Sequence, residues 1–308
     1  MSGRPPDERP TSDRSVAERP GAVRADRLGI ALVLVSAVGF GTLGIFGIYA
    51  QRVGLSIPTV LTYRFLGAAM VVWIVLAVRG RFCPLRGRTL VIALALGAFG
   101  YATMSGLYFL GLEFMTAGMV GIVLYTYPAL VVVLAAATIG ERISRGTVLA
   151  LALALGGVGL VVGADPAGAS TFGVVIVLGA ATAYAAYIVT SRAVLETVDP
   201  LVLTAYVLPA AGVTFILIST GTGGVVVPAT LDAWAVLIGV ATVATAVPVL
   251  AFFAGLERIG ASRTGIVSTA EPVVTVVLGA LLFAEPVTGA TVAGGLCILS
   301  AVVLLNGR

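Results

Sequence analysis

Two ionisable side chains sit where the surrounding sequence offers them no water. Arg64 lies inside LTYRFLGAAMVVW and Glu271 inside GIVSTAEPVVTVVLG. A charge in such a block costs about 2.5–3.5 kcal/mol on insertion scales, so each must face a partner, a polar ligand or an aqueous cavity. A cation and an anion at comparable depth suit a small zwitterion, one held by its carboxylate and the other by its amine. An Arg64–Glu271 ion pair that only locks two helices together is equally compatible with these residues. Glu271 is the one acid away from the block ends, and the chain has no histidine, so a coupled proton would have to ride Glu271. Pro128 and Pro272 each follow a polar residue in mid-block, at Tyr127 and Glu271. Proline leaves the carbonyl four residues back without its helical donor, here Leu124 and Ser268, and marks a kink that could serve as a hinge.

Little else could support chemistry. Without histidine, and with no Asp in mid-block, hydrolytic dyads and HExxH sites are ruled out, so the chain is not read as an enzyme. Cys83 lies in a short Arg-rich stretch and Cys297 in an apolar block, so no disulfide is expected between them. No metal-type spacing occurs and no cofactor is implied.

The elements that must hold these residues follow from composition. Of 308 residues, 59% are hydrophobic and 10% charged, far from the balance of a water-soluble domain. The apolar residues form blocks near 28–50, 55–78, 89–111, 116–138, 146–163, 171–190, 201–219, 233–255, 264–284 and 287–305. A bilayer core of about 30 Å takes roughly 20 helical residues, so the expectation is an all-α integral membrane protein with ten transmembrane helices. Residues 1–27, rich in Pro, Ser and charge, read as a disordered tail. With that tail in the cytoplasm, 16 of the 18 Arg residues fall on the cytoplasmic side and only Arg52 on the other. That bias is positive-inside and puts both termini in the cytoplasm. Basic residues confined to tails and loops between apolar blocks argue against nucleic acid as a partner. The Arg-only, Ala- and Val-rich composition fits a bacterial inner membrane.

The chain also repeats. GLEFMTAGMVGIVLYTYPALVVVLAAATIGERISRGTV (111–148) aligns without gaps to GLERIGASRTGIVSTAEPVVTVVLGALLFAEPVTGATV (255–292), with 15 of 38 positions identical. Residues 28–163 and 171–305 are thus two copies of a five-helix unit. An odd number of crossings makes them inverted copies, the symmetry that supports alternating access. Glu271 maps to Tyr127 at an offset of 144, and Arg64 maps to Tyr206 at 142. Arg64, Tyr127, Tyr206 and Glu271 are therefore the expected substrate-binding residues. Glu141 and Glu285 end apolar blocks and are expected to bond loop amides, with Ser144 and Thr288 capping the helices that follow.

At these residues the chain resembles the drug/metabolite transporter superfamily, in its ten-helix EamA-type form. The resemblance rests on Pro128…Gly140-Glu141 and Pro272…Ala284-Glu285, on LERIGASRTGIVSTAEP (256–272) and on AYAAYIVTSR (183–192). Phe40-Gly41 stands where that group often has Trp-Gly, and the Arg/Pro tail is not a group feature. The resemblance implies a secondary active transporter of small polar metabolites, an exporter of amino acids or related compounds; the proton coupling considered for Glu271 comes from that residue and not from the resemblance. A flippase for lipids or lipid-linked carriers, or an uncoupled facilitative carrier, are the alternatives. The expected partners are a small-molecule substrate and the lipid bilayer, and a homodimer is left open.

Overall fold

The structure, a computed structural model, describes residues 20–81, 83–139, 145–164 and 170–306. Every regular element among these residues is a helix. Eight are long and apolar enough to cross a membrane, and two shorter apolar helices stand where the fifth and tenth spans are expected. In chain order they are α1 (Pro20–Gly41, continued by Leu43–Arg52), α2 (Ile57–Val78), α3 (Gly87–Gly111) and α4 (Ala117–Thr138). Then come α5 (Arg145–Ala164), α6 (Thr171–Leu195), α7 (Pro200–Ser219), α8 (Leu231–Gly260), α9 (Arg263–Phe283) and α10 (Gly289–Asn306).

Where helices and apolar blocks differ by more than two residues, the helices are longer. α1 begins at Pro20, within the stretch expected to be tail. α6 runs to Leu195 and α8 to Gly260, about five residues past their apolar blocks. Hydropathy reports where lipid ends, whereas the hydrogen-bond ladder continues into water until a cap or a left-handed residue stops it. At the end of α8 that residue is Gly260, at φ 77°.

Helix ends follow local chemistry. Ser56 accepts from the Thr59 amide at the start of α2, with Pro58 in the first turn. Asp199 does the same for Leu201 and Val202 at the start of α7, followed by Pro200. Thr288 caps α10 by accepting from the Thr291 amide. Ser144 and Glu141 lie outside the described residues.

Packing shows the duplication directly. α1 packs along α8 and α3 along α6; α4 meets α6 and α1 meets α9; α2 pairs with α7, α4 with α9 and α5 with α10. Exchanging each helix for its repeat mate, α1 for α6 through α5 for α10, turns this set of contacts into itself. In lipid, close backbone approach substitutes for a hydrophobic driving force. At the α1–α8 crossing a Cβ on Gly255 would lie 3.0 Å from the Gly29 carbonyl and would overlap Val33.

Helix defects repeat as well. α3 contains a π-helical segment at Leu96–Tyr101 and α8 one at Thr242–Ala246, overlapping under the 144-residue shift. α4 is interrupted by turn residues at Tyr125–Thr126 and α9 at Thr269, each just ahead of its proline. Tyr101 of the α3 segment, Tyr125 of the α4 break and Ser268 beside the α9 break line one interior space, and the α8 segment reaches it through the bond between Thr245 and Arg64.

Candidate functional site

That space is a cavity of about 450 Å³ between the halves, lined by residues of α1, α2, α3, α4, α6, α7, α8, α9 and α10. It reaches Gly265, two residues from the start of α9, and Thr204, four from the start of α7. It therefore extends toward the end of the molecule that carries the 79–86 and 196–199 segments. At the opposite end the two halves are bonded together. The Glu285 carboxylate, beyond α9, accepts from the Ala117 amide at 2.8 Å and the Gly118 amide at 3.1 Å, the first two residues of α4. A Cβ on Gly279 would overlap that carboxylate, so the glycine makes its seat. Ala284 stands at φ 55°, a left-handed conformation that turns the chain back to place Glu285. Beside it Phe283 meets the Tyr49 ring edge-on at 5.2 Å and lies under the Arg52 guanidinium at 4.5 Å.

Arg64 lines the cavity with only 1% of its surface exposed. Its Nε donates to Thr245 Oγ1 at 2.9 Å and its Nη1 to Ser105 Oγ at 3.4 Å. The guanidinium lies 4.8 Å from the Phe65 ring centre and 5.8 Å from that of Phe109. Thr245 belongs to the π-segment of α8 and donates its own proton to the Val240 carbonyl, five residues back. The winding defect thus turns a hydroxyl toward Arg64 while keeping its own backbone bonded.

Arg64 and Glu271 do not pair. The ion pairs among the described residues are Arg81 with Asp199 at 3.7 Å and Arg81 with Glu257 at 3.5 Å, both solvated. In place of the interhelical lock that these residues also allowed, two neutral hydroxyls surround Arg64, and no carboxylate of the described residues compensates its charge. Glu271 bonds instead to Tyr125, whose hydroxyl oxygen stands 2.9 Å from Oε2. The same hydroxyl stands 2.6 Å from the Ser268 carbonyl, the one that Pro272 leaves without a helical donor.

Of the expected binding residues, Arg64, Tyr127 and Glu271 line the cavity, and so does Pro128. Pro272 sits just beneath, in a small adjoining space that also borders Glu271. Tyr206 is a correction, because it does not line the cavity. Thr204, Val207 and Leu208 form the cavity face of α7, and at 100° per residue Tyr206 points to the far flank. There its hydroxyl accepts from the Leu85 amide at 3.1 Å and its ring meets Trp73 at 5.2 Å, which ties down the 79–86 segment. Inverted repeats relate backbones, and a residue equivalent in alignment need not turn its side chain to the same space.

Of the walls, sequence reasoning found only Tyr127. Phe65, Tyr101, Tyr187, Tyr184, Tyr127 and Tyr125 form a chain of ring contacts with centre distances between 4.6 and 6.1 Å. It runs from the neighbour of Arg64 to the partner of Glu271. Tyr184 and Tyr187, three apart on one helix face, were a usable signal. Ser105 and Thr245 carried none, since nothing in their local sequence announces the π-segment.

Comparison with known proteins places this architecture. The profile of the EamA-like transporter family matches twice, over residues 27–163 and 171–307. The chain belongs to the EamA-like transporter family. Among curated relatives of this transporter is the uncharacterized transporter YcbK of Bacillus subtilis, 27% identical over 87% of this chain and 89% of the relative. An uncharacterized transporter of Archaeoglobus fulgidus is 30% identical over 91% of this chain and 97% of its own. A solved crystal structure that covers 91% of this chain and 95% of its own superposes with a TM-score of 0.64 at 21% identity, a likeness of fold. The EamA-like chain is thus a multi-pass membrane transporter of the two-repeat fold.

Proposed function

We propose that this transporter is a secondary carrier that exports small zwitterionic metabolites, amino acids foremost, by alternating access, with a proton carried on Glu271. The observation that carries the reading is a pair of uncompensated opposite groups in one cavity. Among the described residues Arg64 is the one cation and Glu271 the one carboxyl lining it, and neither neutralises the other. A substrate carboxylate on Arg64 would supply the missing anion, and a charge-assisted bond of that kind is among the stronger ones a protein makes. The aromatic wall between the two groups would take an apolar or aromatic side chain, since most of such a pocket is commonly apolar with few placed polar groups. A volume near 450 Å³ suits a metabolite of amino-acid size.

The side from which this conformation loads is read from which end is shut. The Glu285 contacts close the end that carries residues 112–116, while the cavity extends toward the end with the Arg-rich 79–88 segment. If that Arg-rich end is cytoplasmic, as its charge favours in a bacterial inner membrane, this conformation loads from inside the cell. Counterflow in proteoliposomes is the test. Vesicles preloaded with unlabelled L-phenylalanine should accumulate labelled L-phenylalanine transiently, and an imposed pH gradient should drive accumulation without preloading. Absence of counterflow across all twenty amino acids would refute the substrate class. Counterflow without a gradient response would mark an uncoupled carrier.

A further inference from the structure

We propose that Tyr125 is a positioning residue that ties the protonation of Glu271 to the bend of α9 at Pro272. The argument is a count of protons. The Tyr125 hydroxyl has one proton and two oxygen neighbours, the Ser268 carbonyl at 2.6 Å and Glu271 Oε2 at 2.9 Å. A carbonyl can only accept. When Glu271 is protonated, its O–H donates to the Tyr125 oxygen and Tyr125 donates to Ser268, so each donor has one acceptor. When Glu271 is ionised, carboxylate and carbonyl compete for the single Tyr125 proton, and the charged acceptor forms the stronger bond. Ser268 lacks the usual helical donor to fall back on, because the residue four positions on is Pro272. Ionisation of Glu271 therefore strips the bond that closes the break at Thr269, and protonation restores it. The proton itself exchanges with water in the cavity. Tyr125 keeps its own proton throughout and only redirects it, and no heavy-atom bond is made or broken.

The surroundings leave Glu271 as the group that titrates. It shares the cavity with Arg64 from α2, Tyr101 and Tyr108 from α3, Tyr125 and Tyr127 from α4, and Tyr184 and Tyr187 from α6. α1, α7, α8 and α10 contribute no ionisable side chain to the cavity lining among the described residues. Arginine and tyrosine ordinarily hold their protons across the neutral range. The feature is confined to one half. The Pro128 kink has Thr269 at the position equivalent to Tyr125, and Thr269 bonds the Ile266 carbonyl of its own helix. Only the half that carries the acid has a donor reaching in from across the interface.

The inference rests on the reading of Glu271 as the proton carrier, and the test separates the two. Amide hydrogen exchange over residues 263–283 is measured on the full chain in lipid nanodiscs, without added ligand, across a pH series and corrected for intrinsic exchange. In the wild type, protection should fall roughly tenfold as Glu271 ionises, the effect of unpairing one buried carbonyl. Y125F should show the lower protection at every pH. E271Q, whose amide can still donate to Tyr125, should show the higher protection at every pH. P272A gives Ser268 a helical donor and should also be protected throughout, including in the Y125F background. A pH step that persists in E271Q overturns both the proton reading and this inference. A step that vanishes in E271Q but persists unchanged in Y125F overturns the role of Tyr125 alone, and so does a wild type with no step. Should Y125F fail to fold, P272A decides: a step as large as the wild type's means that the Ser268 carbonyl is not the coupled group.

Discussion

The Glu285 contacts allow a quantitative prediction about which end of the transporter is open. The carboxylate joins the chain beyond α9 to the first two amides of α4, one half of the molecule to the other. These bonds exist only while the 112–116 end is shut. Hydrogen bonds to a charged group contribute about 1.5–3 kcal/mol each. Glu285→Gln keeps one acceptor oxygen but turns an NH₂ donor toward the second amide, so one bond is lost and the other loses its charge. We expect a loss of about 2 kcal/mol from the closed state, a shift of roughly 30-fold toward opening at that end. The assay is modification by a membrane-impermeant maleimide of a single cysteine at Leu43, a cavity residue on α1, in a C83S/C297S background. The labelling rate from the 112–116 side should rise by that factor until the open state dominates. Thr116→Ala is the control. It removes an N-cap within one half, where Thr116 accepts from the Met119 amide, and should lower stability by about 1 kcal/mol without changing the labelling rate. Equal rates for E285Q and wild type, with both folded, would refute the argument and leave Glu285 as a static cap.

Further outcomes follow from the same geometry. Arg64→Lys should fold but lower transport at least about tenfold, because one ammonium cannot reproduce the planar fork held by Thr245 and Ser105 and stacked near Phe65; wild-type uptake kinetics would exclude Arg64 from the site. Thr245→Val should cost about 1–3 kcal/mol by leaving the buried Nε without an acceptor, read as a lower Tm in detergent. Tyr206→Phe should leave substrate affinity unchanged while speeding proteolysis of the 79–86 segment, since only the Leu85 amide loses its partner; a changed affinity would return Tyr206 to the binding site. Gly255→Leu should prevent close packing of α1 on α8 and reduce the yield of folded protein, whereas Val243→Leu, on an exposed face of α8, should not.

The architecture was legible because lipid imposes a severe rule: backbone polar groups must bond within the segment, so apolar length converts almost directly into helices. The repeat was legible because Pro128/Pro272 and Glu141/Glu285 survived in both copies. Glu285 also bonds backbone amides as expected, although the partners lie in the other half rather than in its own loop. The interior was harder to read. Arg64 and Glu271 announce themselves by what they cost, but cost does not name a partner, and neutral hydroxyls took the place expected of an opposite charge. Tyr206 went astray because alignment preserves position along a helix and says nothing of rotation about it. Tyr101 and Thr245 depend on segments wound with one residue too many, and hydropathy is blind to a bond that skips five residues instead of four.

Those π-helical segments also bear on history. They occur at overlapping places in two copies whose sequences have otherwise diverged, one bordering Tyr101 and the other presenting Thr245 to Arg64. A local defect shared by both copies points to an ancestor that already possessed it before duplication. The capacity to turn a polar group inward at mid-membrane is then older than the division that left the cation in one copy and the acid in the other.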